Sequence, residues 1–186
     1  MKLIPDQIRG NELTKILDEV QRAYAQLSRI GRINGLVIAD QDAKVLATNT
    51  HFDTRINYWD IGAIGAALFG VAKQGRDFFK AEDLERAIML YKNTQLFVQT
   101  IGNIQLKGNR QRELVLIVLA DKQINIGLMN LQMQKFSKQI KDQVEKDQTS
   151  QELMFKSEQE MVKHLSDLKK DLLAQAPKIP SPAMPK

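Results

Sequence analysis

An unbroken apolar run, LVLIVLA, occupies Leu114–Ala120 of this 186-residue chain. A strand that carries no polar residue on either face must be covered on both faces. Seven residues are also far fewer than the roughly 20 that cross a bilayer as a helix. The run therefore predicts a central strand in a sheet covered on both sides, and we expect no integral membrane segment.

Four other short segments also have the character of strands. Ile33–Ala39 and Lys44–Thr48 are so close in sequence that they can pair only as an antiparallel hairpin. Leu84–Lys92 and Gln95–Ile101 form a second pair, separated by a two-residue turn. The segment Gly102–Gln111 is polar, contains two glycines and is predicted to be a loop. The chain thus supplies five predicted strands.

Three helices are predicted around these strands. Asn11 is a plausible N-cap for the first helix, at about 11–30, whose apolar residues recur at steps of three and four: Leu13, Ile16, Leu17, Val20, Tyr24 and Leu27. Asn57 can cap a second helix at Tyr58–Phe79, with Asp60 placed favourably for the helix dipole. A third helix is predicted from about Asn125.

The second helix is unusual in its content of small residues. Three of its glycines, Gly62, Gly65 and Gly70, each cost about 1 kcal/mol relative to alanine in a helix interior. Close approach of another backbone is the physical gain that would compensate. Gly62, Ala66 and Gly70 are spaced four apart and share one face. That face could pack on the domain's own sheet or on a second subunit, and the sequence alone leaves both alternatives open.

The composition changes after residue 146, so we divide the chain into a domain at 1–146, an amphipathic helix at 147–175 and a tail at 176–186. Thr149 and Glu152 form a capping box. The helix carries a heptad-like seam of Met154, Met161, Leu165, Leu168 and Leu172. It could fold back on the domain or serve as an arm that binds a partner or another copy. The tail has four prolines in its last ten residues and is expected to be disordered.

The charge pattern does not favour a nucleic-acid partner. The net charge is +5, from 27 basic and 22 acidic residues. The basic surplus is spread along the chain, whereas nucleic-acid binders concentrate it on one face. The nearest approach to a cluster is Lys107, Arg110 and Arg112 in the predicted polar loop. The sequence starts without an apolar leader segment and has no membrane-spanning run, so a cytoplasmic location is expected. It contains no cysteine, which excludes disulfides, thiolate nucleophiles and cysteine-bound metals.

The sequence offers little that could support catalysis. Its two histidines, His51 and His164, lie in different segments and lack the spacing of a metal site. Glycine-rich phosphate loops and a G-x-S-x-G motif are absent from the sequence. Acidic pairs such as Asp40 and Asp42 lie at turns, where acids usually face water. We therefore expect a protein that is not an enzyme and uses neither cofactor nor metal.

Three segments in order resemble the roadblock/dynein light-chain family. INGLVIADQDAKVLATN at 33–49 is similar to the first hairpin of that family, and DIGAIGAALFGVAKQG at 60–75 to its central helix. LVLIVLADKQINIGLMNLQM at 114–133 resembles its last strand, connector and final helix. The resemblance spans about 11–143. One departure is Ala43, which stands where the family has a turn glycine and would be strained in a left-handed conformation.

The resemblance implies an α+β fold with three α/β/α layers. A five-stranded antiparallel sheet would have the first and third helices on one face and the central helix on the other, followed by the C-terminal helical arm. Family members typically form homodimers by pairing the third strand, here about 84–92, and the central helices. The resulting candidate interface comprises Gly62, Ala66, Phe69, Gly70, Ile88 and Leu90.

The resemblance also implies a function. Roadblock proteins commonly act as non-enzymatic regulators or scaffolds of small Ras-like GTPases, and some prokaryotic members act as GTPase-activating partners. Repositioning of the GTPase's own groups would suffice for such stimulation, because phosphoryl transfer depends mainly on positioning and electrostatics. The candidate partner-binding residues are Tyr58, Trp59, Lys73 and Arg76, because aromatic residues and arginine dominate binding hot spots. One alternative is an adaptor indifferent to nucleotide that binds through the seam at Met161, Leu165, Leu168 and Leu172. A third hypothesis is a ligand sensor of PAS or profilin type.

Overall fold

The computed structural model describes residues 6–53, 55–106 and 110–152, together with residue 154. Within these ranges the chain forms four helices and five strands. In chain order they are α1 (Asp6–Arg9), α2 (Glu12–Leu27), β1 (Ile33–Asp40), β2 (Val45–Thr48), α3 (Tyr58–Phe79), β3 (Arg86–Leu90), β4 (Thr94–Leu106), β5 (Arg110–Asp121) and α4 (Ile126–Lys146).

The strands form one antiparallel sheet in the order β2-β1-β5-β4-β3. β5 is the central strand, and its residues Leu114–Ala120 pair on one side with β1 and on the other with β4. These residues are buried along their whole length. The apolar run is therefore the central strand that the sequence predicts.

The sheet lies between two helical layers, as expected. On one face, α2 and α4 bury a cluster that includes Leu17, Phe97 and Phe136. On the other face, α3 buries a second cluster that includes Val98 and Ile117. Alternate residues of β4 and β5 enter the two clusters because successive side chains of a strand point to opposite faces. This confirms the three-layer α+β architecture.

The predicted loop at Gly102–Gln111 is wrong for most of its length. β4 continues to Leu106 and β5 begins at Arg110, so the two strands form a long ribbon. Gly102, at φ 110°, lies at a bulge in their pairing. The basic residues Arg110 and Arg112 lie in β5 rather than in a loop, and Arg112 is buried and forms an ion pair with Asp42. The polar composition of this segment led to the wrong prediction, because hydrogen bonding between the strand backbones does not require apolar side chains.

The helix predicted at 11–30 corresponds to α2, which is shorter than predicted. Asn11 is its N-cap, and the Asn11 side chain accepts a hydrogen bond from the Thr14 N–H at 2.9 Å. The helix ends at Leu27, before Gly31 at φ 76°. A Cβ on Gly31 would lie 2.4 Å from Cα of Ile124, so only glycine allows the two segments to approach this closely.

The turn between β1 and β2 has the strained residue that the sequence suggested. Ala43 adopts φ 66°, in the left-handed region. Asp40 holds the turn: its Oδ1 accepts hydrogen bonds from the N–H groups of Asp42 at 3.0 Å and Lys44 at 2.8 Å. These bonds keep the turn closed without the glycine found in the family that the sequence resembles.

The chain stays packed on the domain beyond α4. Asp147 ends α4 and caps the helical residues 148–152, accepting from the N–H groups of Thr149 and Ser150 at 3.2 and 3.1 Å. The cap is therefore Asp147 rather than Thr149. Ser150 and Met154 are buried, and Met154 joins the α2/α4 core. The seam at Met161, Leu165, Leu168 and Leu172 and the tail at 176–186 lie outside the described residues. Within the described part, no helix is long and apolar enough to cross a membrane.

Candidate protein-interaction surface

Helix α3 is positioned by caps at both ends. The Asn57 side chain accepts a hydrogen bond from the Trp59 N–H at 3.1 Å, and Asp60 lies in the first turn. At the other end, Lys80 adopts φ 52° and its N–H bonds to the Arg76 carbonyl. The helix boundaries, Tyr58–Phe79, are those that the sequence predicts.

The small residues of α3 pack on the sheet of their own subunit. A Cβ on Gly65 would lie 2.4 Å from Cδ1 of Ile117, and one on Gly62 would lie 2.7 Å from Cγ2 of Val45. Ala66 and Phe69 are buried on the same side. The sequence left open whether this face packs on the domain's own sheet or on a second subunit. The contacts show that these residues pack on the domain's own sheet. Gly62, Ala66 and Phe69 therefore face inward, away from any second subunit.

The outward side of α3 carries a stripe of exposed apolar residues. Ile64, Val71 and Phe78 are 44%, 69% and 85% exposed. Gly70 lies on this side as well, with open space around the position of a Cβ. The predicted helix Tyr58–Phe79 includes all three residues, but the sequence did not assign them to its outer face. The seven-residue spacing of the three large side chains was the available signal.

The adjacent sheet edge, at β3, is open. β3 is the last strand of the sheet and pairs only with β4 among the described strands. Its residues Ile88 and Leu90 are 39% and 65% exposed. The opposite edge, at β2, is covered: the Asn11 amide donates to the Leu46 carbonyl at 3.0 Å, and Arg9 donates to the Thr50 carbonyl. Within the described part of the chain, β3 is therefore the edge available for pairing with another chain.

Two of the predicted partner-binding residues lie at the start of α3. Tyr58 is buried, and burial raises the pKa of its hydroxyl. Trp59 is 37% exposed, and its ring lies 5.2 Å from that of Tyr58 and 5.8 Å from Nζ of Lys44. Trp59 is thus a partly exposed aromatic beside a cation, whereas Tyr58 is a core residue.

The other two, Lys73 and Arg76, lie toward the end of the helix and are held in ion pairs. Lys73 Nζ lies 2.6 Å from a carboxylate oxygen of Glu113, and Arg76 lies 2.5 Å from Asp83. Arg76 also lines a groove of about 820 Å³ between α3 and the segment 81–86, together with Val71 and Phe79. The structure therefore separates the four candidates into two places on α3, about 20 Å apart along the helix.

The described residues offer no cluster suited to metal binding. No group of three His, Cys, Asp or Glu residues is placed to hold a metal among them. His51 is exposed in a loop. Asp40 is buried, and this burial raises the pKa of its carboxyl group. Since its Oδ1 holds the β1–β2 turn, we assign Asp40 a structural role.

Comparison with known proteins gives a match in structure but not in sequence. No family model matches the chain, and no curated protein matches it. A Roadblock/LC7 domain from Streptomyces avermitilis is similar, with a TM-score of 0.57 at 16% identity, covering 72% of this chain and 98% of that one. MglB of Myxococcus xanthus is similar with a TM-score of 0.57 at 12% identity, covering 74% and 98%.

The gliding protein MglB of Thermus thermophilus gives a TM-score of 0.55 at 12% identity, covering 76% of this chain and 99% of that protein. Each match thus takes in nearly the whole of the other chain. Together with the element order and the helix layers on the two sides of the sheet, the matches lead to one conclusion. The chain has the fold of the roadblock/LC7 domain.

Proposed function

We propose that this chain is a non-catalytic homodimeric regulator or scaffold that binds a small Ras-like GTPase. The observation that carries the proposal is the exposed apolar stripe of α3 beside the open edge of β3. Large exposed apolar side chains gathered on one surface indicate a site of protein association. The similarity to MglB, for which one solved structure has a tetrameric arrangement, supports association of this chain with further copies.

The proposed dimer pairs β3 with β3 of a second copy and places the two α3 helices side by side. A two-fold axis brings the same patch of both subunits together, so a single apolar surface is complementary to itself. The interface residues that we propose are Ile64, Gly70, Val71 and Phe78 on the outer side of α3 and, on the opposite face of the paired β3 strands, Ile88 and Leu90. Gly62, Ala66 and Phe69 are left out because they face the sheet of their own subunit.

The dimer can be tested with charged substitutions on the outer face of α3. Val71→Asp should convert a particle of about twice 21.2 kDa into one of 21.2 kDa, as measured by light scattering. The fold should remain stable because the Val71 side chain is exposed. Leu131→Asp, at an exposed position of α4, is the matched control and should leave the mass unchanged. A dimer that persists in Val71→Asp would refute this interface.

The GTPase would bind the joined α3 helices near Trp59, Lys73 and Arg76. Trp59 supplies exposed aromatic surface next to Lys44, which suits it to a binding hot spot. Lys73 and Arg76 would exchange their present carboxylate partners, Glu113 and Asp83, for groups of the GTPase. A partner bound in this way could alter GTP hydrolysis by positioning groups, which is the main component of phosphoryl-transfer catalysis.

The deciding experiment is co-elution of the full chain with the small GTPases of its own genome, each loaded with GDP or a non-hydrolysable GTP analogue. A complex selective for the GTP state would support a regulator. Equal binding in both states would favour a scaffold, because a ligand without differential affinity shifts no equilibrium. Trp59→Ala should weaken the complex, with Leu131→Ala as the matched control. No complex with any GTPase would refute the proposal.

A further inference from the structure

Three large aliphatic side chains are exposed on the side of the sheet that carries α2 and α4. Leu27, Ile30 and Leu131 are 66%, 64% and 63% exposed. Leu27 is the last residue of α2, Ile30 lies between α2 and β1, and Leu131 lies in α4. None of the three belongs to the proposed dimer interface or to the proposed GTPase-binding surface on α3. Large apolar side chains gathered on one surface indicate association with a partner.

The end of α2 and the beginning of α4 lie at the same end of the sheet. Ile33, the first residue of β1, pairs with Ala120, near the end of β5. The Tyr24 hydroxyl joins the two segments, since it donates to the Ile30 carbonyl at 3.1 Å and accepts from the Asn125 N–H at 2.8 Å. The residues that follow α2 therefore lie beside the first turn of α4.

The exposed leucines project outward from the contact between the two helices. Leu131 is two residues from the fully buried Met129, which places it about 200° around α4, on the opposite side. Leu128, one turn before Leu131, is partly buried against the core that α2 and α4 share. Ala23, one turn before Leu27, packs against the same core. Both leucines thus extend outward from one shared line of contact.

Exposed basic side chains surround these aliphatic residues. One lies between Leu27 and Ile30 in the sequence, and two lie four and seven positions after Leu131, on the same side of α4. Another is exposed on α2, where Glu19 offsets one charge. The basic residues are Arg22, Arg29, Lys135 and Lys138. A second copy would bring the same positive charge to this surface, so an anionic partner is favoured over self-association.

The combination of exposed aliphatic and basic side chains suits the surface of an anionic bilayer. Aliphatic side chains are buried at the boundary between headgroups and acyl chains, while lysine and arginine stay among the anionic headgroups. An acidic partner helix would instead need a groove for its apolar side. Leu131 projects outward from α4 and does not line a groove between the helices, which favours the bilayer.

The proposed dimer would present this surface twice in the same direction. Because its two α3 helices lie side by side, the α2/α4 layers of both copies lie together on the other side of the joined sheet. One bilayer could therefore contact both copies, which strengthens binding without a new contact. A single subunit contains the whole patch, so the inference does not depend on the dimer.

We propose that Leu27, Ile30 and Leu131, with their four basic neighbours, dock this chain on the surface of an anionic lipid bilayer. The three aliphatic side chains enter the boundary between headgroups and acyl chains, and the basic side chains contact lipid phosphates. The proposal goes beyond GTPase binding and uses none of the residues assigned to it. It leaves the GTPase-binding surface on α3 facing away from the bilayer.

Sedimentation of the full chain with lipid vesicles tests this proposal. The chain should sediment with vesicles of phosphatidylcholine mixed with phosphatidylglycerol and stay in solution with phosphatidylcholine alone. Replacing both leucines, Leu27→Ser with Leu131→Ser, should weaken binding by about tenfold or more. Lys135→Gln should weaken it by about fivefold. Urea unfolding of each variant should match the parent, because these side chains are exposed.

Two control variants match these changes elsewhere on the surface. Lys80→Gln removes the same charge at the end of α3, and Ile126→Ser removes an aliphatic side chain about 140° around α4 from Leu131. Both should sediment like the parent. The assay contains no GTPase, so its result is independent of whether a GTPase complex forms.

Three results would overturn the proposal. The first is a full chain that does not sediment with the anionic vesicles. The second is a double leucine variant that sediments like the parent, or controls that lose as much binding as the test variants. The third is binding to soluble polyglutamate that depends on Leu27 and Leu131 while vesicle binding does not, which would assign the patch to an acidic protein.

Discussion

The two glycines Gly65 and Gly70 lie in the same helix but in opposite environments, and their replacement by alanine should have opposite effects. A Cβ on Gly65 would lie 2.4, 2.7 and 3.2 Å from three carbons of Ile117, whereas a Cβ on Gly70 meets nothing within 4 Å. Ile117 is fully buried in the central strand and crowds the site with both branches of its side chain, so rotation cannot relieve the contact.

The expected magnitudes follow from two terms. Alanine favours a helix interior over glycine by about 1 kcal/mol, and this gain is common to both positions. Overpacking a well-filled core costs about 1–3 kcal/mol and applies only at Gly65. Gly70→Ala should therefore stabilise the fold by about 1 kcal/mol. Gly65→Ala should be less stable than Gly70→Ala by about 1–3 kcal/mol.

Urea unfolding of the two variants measures this difference directly. Because Gly70 lies on the proposed dimer face, the measurement is made at two protein concentrations to separate folding from association. Ile117→Val removes the carbon nearest to Gly65, so combining it with Gly65→Ala should give less destabilisation than the sum of the two single changes. If Gly65→Ala stabilises the protein as much as Gly70→Ala does, α3 does not pack on the sheet as described.

Three further changes test other parts of the structure. Ala43→Gly should stabilise the fold by about 0.5–1 kcal/mol in urea unfolding, since glycine adopts the left-handed conformation without strain. Asp40→Asn should gain stability relative to the parent as the pH rises above 3.8. Burial raises the pKa of the Asp40 carboxyl, so the folded state favours its neutral form. The parent therefore loses stability as the pH rises from 3.8 through the folded-state pKa, whereas the asparagine side chain has no charge to acquire. A parent and variant with parallel pH profiles would contradict this. Met154→Ala should cost about 2–5 kcal/mol, because it leaves a cavity in the α2/α4 core; an unchanged melting temperature would place Met154 outside that core.

Local signals were sufficient to predict α3 from the sequence. Asn57 is an N-cap whose side chain bonds locally to the Trp59 N–H, so the beginning of the helix depends on neighbouring residues alone. The central position of Leu114–Ala120 was predictable for a different reason: its uniform apolarity requires cover on both faces. Features of this kind depend on only a few neighbouring residues.

The ends of β4 and β5 and the orientation of α3 were not predictable in the same way. The ribbon beyond Gly102 is held by backbone pairing between polar residues, which leaves no hydrophobic pattern in the sequence. The orientation of α3 depends on its partner, since Ile61 faces the sheet and Ile64 faces outward although both are isoleucine. The outward stripe became visible only when the contacts of Gly62 and Gly65 fixed the inner side.

The cover over β2 limits how many copies can join through their sheets. With Asn11 and Arg9 bonded to the β2 side, the described part of each subunit has one edge open to strand addition, so the proposed pairing through β3 would end at two copies. Removing residues 1–11 would give every subunit two open edges. Head-to-tail addition would then have no end point and would produce filaments of unlimited length. In the proposed dimer, the contacts of Arg9 and Asn11 would therefore limit self-assembly to two copies.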